Sequence, residues 1–112
     1  YARQVEEYLR TSEVYVNPKL SLRDVSQATG ITYNNISKAI NATMNKNFFD
    51  LVNGFRIEKS KALLMSKKEK GLTLETVAEM CGFNSRITFN NAFKKVIGVT
   101  TTEWLRLNRD KK

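Results

Sequence analysis

The chain has 112 residues, a formal net charge of +8 and a sequence pI near 9.8. That length suits one domain, or two very small subdomains sharing a helix, and 41% hydrophobic residues is too apolar for a disordered basic tail. The cationic excess points to a polyanionic partner, nucleic acid ahead of an anionic membrane. The lack of histidine removes the commonest general base and transition-metal ligand, so neither an enzyme nor a metal or other cofactor is expected.

No apolar run approaches the roughly 20 residues that span a bilayer, and no signal-peptide pattern opens the chain, so no membrane contact by this segment is expected. A lone Cys81 has no disulfide partner, which fits a reducing, cytoplasmic setting. The chain begins at Tyr1, and further domains are expected upstream.

In chain order, Val5, Tyr8 and Leu9 fall at helical spacing and predict a first helix from about Ala2 to Glu13. After Asn17, Pro18 and Lys19, Ser21 with Asp24 reads as a capping box opening a short helix to about Thr29. Gly30 supplies a permissive turn, and Thr32 caps a helix from about Tyr33 to Thr43. Positions 21–43 therefore read as a helix-turn-helix. Asn47 and Asp50 cap a long helix to about Ser66, with Phe48, Leu51, Val52, Phe55, Ile57, Leu63 and Leu64 as its apolar positions. At about 1.5 Å per residue it spans close to 30 Å, near the roughly 34 Å between successive major-groove faces of a duplex. The polar SKKEKGL stretch, with Lys67, Lys68 and Lys70, predicts a surface connection. Thr73 then caps a helix through about Cys81, Gly82 turns the chain, and Ser85 caps a helix to about Ile97 that Gly98 ends. Thr100 with Glu103 forms another capping box before a last helix carrying Trp104 and Leu105. The expected fold class is all-α, with seven helices, a linker helix over about 47–66 and a second helix-turn-helix over about 73–97.

The two helix-turn-helix segments are copies of one unit. Leu22, Val25, Ser26, Gly30 and Ile31 are echoed by Leu74, Val77, Ala78, Gly82 and Phe83, and Ile36 and Ile40 by Phe89 and Phe93 after the offset grows by one residue. A second turn one residue longer accounts for that growth. In the first copy Ile36, Ala39 and Ile40 form the stripe expected to face the core, which leaves Asn34, Ser37, Lys38 and Asn41 along one exposed ridge. In the second, Phe89, Ala92, Phe93 and Val96 form the stripe and Ile87, Asn90, Asn91 and Lys94 the ridge, with Arg86 and Thr88 at its start. Asn offers a donor and acceptor pair to adenine, Lys donates to guanine, the Arg86 fork suits the paired acceptors of guanine, and Ile87 suits a thymine methyl. Taken singly, exposed Asn, Ser and Lys are mostly solvated surface; their alignment in both copies makes the case.

GFNSRITFNNAFKKVIG, from Gly82 to Gly98, closely resembles the second helix-turn-helix signature of the AraC/XylS family of bacterial transcription regulators. FFDLVNGFRIEKSKALL resembles that family's linker helix and LSLRDVSQATGITYNNISKAI its first helix-turn-helix, so the likeness covers nearly the whole chain. The resemblance implies a domain over 1–112 that binds double-stranded DNA and inserts two recognition helices into successive major-groove segments near a promoter, with RNA polymerase as a partner. It places base-reading positions on Asn34, Ser37 and Lys38, and on Arg86, Ile87, Thr88 and Asn91. Thr32, Tyr33 and Asn41, with Ser85, Asn90, Lys94 and Lys95, are then expected at the backbone or flanking the bases. Thr101 stands where the family usually has proline, and Ser26 where it usually has alanine. The family's domain usually closes a longer chain, and the INATMNKNFFDLVNGF style resembles members with a membrane-anchored or repeat-containing sensor upstream.

Two other readings share this composition. One is a helical interaction module whose basic surface meets an acidic partner; the other is an architectural DNA binder without sequence preference. Duplex affinity across a salt series separates the first, and competition by random duplex the second.

Overall fold

The computed structural model describes residues 1–65 and 73–109; among them are seven α-helices, a single 3-10 turn and no strand. The connection expected at 66–72, with Lys67, Lys68 and Lys70, lies outside the described residues. The chain forms two compact units, Tyr1–Phe55 and Arg56–Lys112. No helix among the described residues is long and apolar enough to cross a membrane.

The first unit contains α1 (Ala2–Ser12), α2 (Leu22–Thr29), α3 (Tyr33–Met44) and the opening turns of α4 (Phe48–Met65). Its core takes one stripe from each: Val5 and Leu9 from α1, Val25 from α2, Ile36 and Ile40 from α3, then Phe48, Leu51 and Val52 from α4. The predicted α1 ends one residue late, because Glu13 adopts a left-handed conformation (φ 55°) that closes the helix. The 3-10 turn Val14–Val16 was not legible in the sequence, since three residues are too short to show a period. It serves the core by burying Tyr15, whose ring stacks on Phe55 at 5.5 Å between centroids. Ala39, expected with Ile36 and Ile40 in the buried stripe, sits half-buried at its margin.

The cap that opens α4 is as the sequence predicts, with Asn47 Oδ1 accepting from the Asp50 amide at 2.8 Å. Its apolar residues do not make one stripe. Phe48, Leu51, Val52 and Phe55 belong to the first core, whereas Ile57, Leu63 and Leu64 belong to the second. One helix therefore serves two cores in succession.

The second unit adds α5 (Leu74–Met80), α6 (Arg86–Ile97) and α7 (Thr101–Arg109) to the end of α4. Its core is an aromatic chain: Phe83 lies 5.4 Å from Phe89, Phe89 lies 5.8 Å from Phe93, and Phe93 lies 5.7 Å edge-on from Trp104. Val96, expected in the buried stripe of α6, is 43% exposed, and Ile97 packs against the core instead. Ile97 lies four residues after Phe93 and eight after Phe89, so it shares their stripe, while Trp104 of α7 packs on Phe93 in the same core. At the start of α7 the Thr100 hydroxyl accepts from the Glu103 amide at 3.1 Å as expected, while the Glu103 carboxylate pairs with Arg106 at 2.5 Å.

Candidate nucleic-acid interface

Each candidate reading helix is preceded by a turn that fixes where it starts. In the first copy the Ser21 capping box is complete: its hydroxyl accepts from the Asp24 amide at 3.2 Å, and the Asp24 carboxylate accepts from the Ser21 amide at 3.0 Å. Gly30 then takes φ 76° with open space where a Cβ would sit, so backbone handedness rather than crowding selects glycine there. Ser26 is more than a small residue: its hydroxyl donates to the Ile31 carbonyl at 2.6 Å and ties α2 to the turn. Thr32 caps α3 by accepting from the Asn35 amide at 3.3 Å.

The second copy solves the same turn with backbone. The Gly82 amide donates to the Glu79 carbonyl at 3.1 Å and the Phe83 amide to the Ala78 carbonyl at 2.9 Å. With Gly82 at φ 99° this is a Schellman ending, whose following hydrophobic residue, Phe83, enters the core. Asn84 is the extra residue before the cap, as the shifted offset requires. Ser85 caps α6 by accepting from the Thr88 amide at 3.1 Å, and its hydroxyl also lies 3.0 Å from that of Thr88.

Behind α3, Ile36 and Ile40 have no exposure, and behind α6, Phe89 and Phe93 have none. Opposite them Asn34, Ser37, Lys38 and Asn41 are all exposed, as is Tyr33. On α6 Arg86, Ile87, Thr88, Asn91, Lys94 and Lys95 are exposed, with Asn90 half-buried and Val96 exposed near the helix end. Ile87 is 73% exposed at the head of α6, an apolar side chain facing water with no core to join. An open groove of about 340 Å³ runs beside this face, lined by Leu74, Arg86, Asn90, Asn91, Lys94 and residues 100–102.

One functional feature escaped the sequence reading. Arg86, the residue whose fork suits guanine, has Nη1 at 2.8 Å from a Glu75 carboxylate oxygen on α5. The Glu75 carboxyl is held below its ordinary range, first by its own backbone amide and then by Arg86. The only signal in the sequence is an acidic residue in the first turn of α5, and pairing it with Arg86 requires the turn geometry. Cys81 is fully buried, and burial pushes its thiol up to about 11, so it is a protonated core residue at neutral pH. No group of three or more acidic or cysteine side chains among the described residues is placed to hold a metal ion.

A family model described as a helix-turn-helix domain matches residues 25–107. The chain is 25% identical over 91 residues to the xylose operon regulatory protein of Escherichia coli K12, a match covering 81% of this chain and 22% of that protein. The chain thus spans about a fifth of the curated relatives it matches. Among solved structures, a probable AraC family transcriptional regulator from Rhodopseudomonas palustris CGA009 superposes with a TM-score of 0.77 at 25% identity, covering 94% of each chain. The DNA-binding domain of AdpA, a global transcriptional factor solved in complex with a target DNA, matches with a TM-score of 0.77 at 14% identity over 99% of this chain and 94% of that one.

Proposed function

The chain belongs to the AraC-type helix-turn-helix family and is a DNA-binding domain of transcription regulators rather than an enzyme, and from that premise we propose that α3 and α6 are its two recognition helices, read in successive major-groove segments of one duplex. Asn34, Ser37 and Lys38 on α3, with Arg86, Ile87, Thr88 and Asn91 on α6, meet base edges. Thr32, Tyr33, Asn41, Ser85, Asn90, Lys94 and Lys95 meet or flank the backbone, where the cationic excess supplies affinity without sequence information. In this reading the domain is the output end of a longer regulator, an activator working with RNA polymerase and governed by a sensor upstream. The AdpA domain was solved with a target DNA, which supports a duplex as ligand for a fold of this shape.

The observation that carries the proposal is the two-faced character of both helices. Each is capped, each is backed by residues without exposure, and each turns a hydrogen-bonding ridge outward, with Ile87 exposed among the polar groups of α6. A polar ridge suits acceptor and donor patterns in a groove, and an isolated exposed isoleucine suits a thymine methyl.

Selection of binding sites from random duplexes tests it. The expected site has two short elements about one helical turn, roughly 10 base pairs, apart. Arg86→Ala should cost about 1 to 3 kcal/mol on that site and relax one base pair, while Lys95→Ala weakens selected and scrambled duplexes alike. Equal losses on both duplexes for both variants would count against base readout, and no duplex binding at low salt would favour an acidic protein partner.

A further inference from the structure

We propose that Glu75 is a specificity-determining positioning residue: by holding Arg86 across the second helix-turn-helix, it withholds that guanidinium from DNA phosphates and reserves its free edge for guanine. The inference rests on the base-reading role proposed above for Arg86.

Arg86 is the first residue of α6 and its side chain is about half exposed. A loose arginine there would take the nearest phosphate, the strongest acceptor on a duplex, and contribute affinity to every sequence equally. The Glu75 carboxylate, 2.8 Å from Nη1, changes the competition. A phosphate approaching the guanidinium must also approach a second anion, whereas guanine O6 and N7 are neutral acceptors and carry no such penalty. Guanidinium has five N–H donors in a fixed plane, so one bond from Nη1 to Glu75 leaves an edge free for two parallel bonds.

The pair also fixes where the side chain lies. Held by Glu75, Arg86 lines the groove together with Asn90, Asn91 and Lys94, on the face proposed to read bases. Glu75 further offsets the unfavourable placement of a cation at a helix N-terminus, so Arg86 keeps its position before DNA arrives. The first copy has no equivalent: Arg23 and Tyr33 occupy the corresponding positions. Lys94 remains in the same groove to serve a phosphate.

The test is binding of the chain and its variants to the selected site and to a scrambled duplex across a salt series. Glu75→Gln is expected to bind the scrambled duplex several-fold more tightly, with a slope of log K against log salt steeper by about 0.9, the signature of one newly neutralised phosphate. Its preference for the selected site should fall about tenfold, the loss of one bidentate base contact. Adding Arg86→Ala to Glu75→Gln should restore the original slope, while Arg86→Ala alone leaves the slope on scrambled duplex unchanged. The inference is overturned if Glu75→Gln alters neither slope nor preference, or if Arg86→Ala alone lowers the slope by about one, since Arg86 would then already sit on a phosphate. Preference that Arg86→Ala relaxes and Glu75→Gln leaves intact removes the positioning role and spares base readout. A parent chain that does not distinguish the two duplexes removes both.

Discussion

Thr101 is the sharpest prediction about stability. It is 3% exposed at the first position of α7, and its hydroxyl has no hydrogen-bond partner among the described residues. A hydroxyl moved from water to such a site costs about 1 to 3 kcal/mol that no bond returns. Thr101→Val keeps the shape and removes the polar atom, so it should raise stability by about 1 to 2 kcal/mol. Thr101→Pro should do comparably: proline suits the first turn of a helix, and fixing φ restricts the unfolded chain, worth about 0.4 to 1 kcal/mol in addition to removing the hydroxyl. Thr101→Ser is the control, retaining the hydroxyl while giving up a methyl, and should lose roughly 0.8 kcal/mol. Trp104, the chain's single tryptophan, lies in the same unit, so its fluorescence during urea titration follows the event of interest. With a urea slope of about 1 kcal/mol/M for so small a unit, the valine variant should shift the midpoint upward by roughly 1 M or more. An unchanged or lower midpoint for Thr101→Val, with serine equal to the parent, would refute the reasoning by showing that the hydroxyl is satisfied.

Gly54 lies inside α4, and a Cβ added there meets nothing within 4 Å, so Gly54→Ala should stabilise the chain by about 0.5 to 1 kcal/mol in thermal melts followed by circular dichroism. Ser26→Ala removes the bond to the Ile31 carbonyl and should cost about 1 kcal/mol, with helicity in the same melts as the measure; no loss would mean that the turn is held by backbone alone, as at Ala78. The Cys81 thiol should react with iodoacetamide only as fast as the second unit opens. Its folded pKa, about 11, is above that of an unfolded cysteine, so the unfolded state loses its proton first as pH rises. The contribution is complete below about pH 8.5 and is lost progressively towards pH 11; alkaline titration of Trp104 fluorescence, with Cys81→Ala for comparison, measures it.

The fold was legible where it is written in local chemistry. Ser21 with Asp24, Thr32, Asn47, Thr73, Ser85 and Gly98 each name a helix boundary through a side chain or a handedness that few residues supply, and the structure places a boundary at each. What escaped depends on partners distant in sequence. Val96 and Ile97 both lie within reach of the α6 stripe by spacing, and the packing in the folded core leaves Val96 exposed and takes Ile97. Ser26 reads as a small residue until the Ile31 carbonyl is seen 2.6 Å from its hydroxyl, and the partner of Arg86 shows only once the turn at Gly82 sets Glu75 beside it. Both exposed ridges were visible as patterns, because a buried stripe determines its opposite face; the Arg86 partner was not, because no periodicity links two helices.

The divergence between the copies bears on what the domain recognises. Both keep the same internal logic: a capped helix, a glycine at positive φ, a second capped helix backed by two residues without exposure. Their outward faces share little. The first offers Asn34, Ser37, Lys38 and Asn41, neutral but for one lysine, whereas the second offers an arginine tied to a carboxylate, an exposed isoleucine and two asparagines ahead of Lys94. If both ridges read bases, the half-sites they prefer must differ, since amide, hydroxyl, guanidinium and isoleucine side chains complement different groove edges. A duplicated reader with unlike surfaces would then specify an asymmetric site, one that calls for no two-fold-related partner chain. Transplanting Arg86 and Ile87 with Glu75 onto positions 33, 34 and 23 of the first copy should convert the first half-site towards the second in a binding-site selection. Conversion by the two reading residues alone, with the glutamate omitted, would show that the surface is carried by the ridge and owes nothing to the helix behind it.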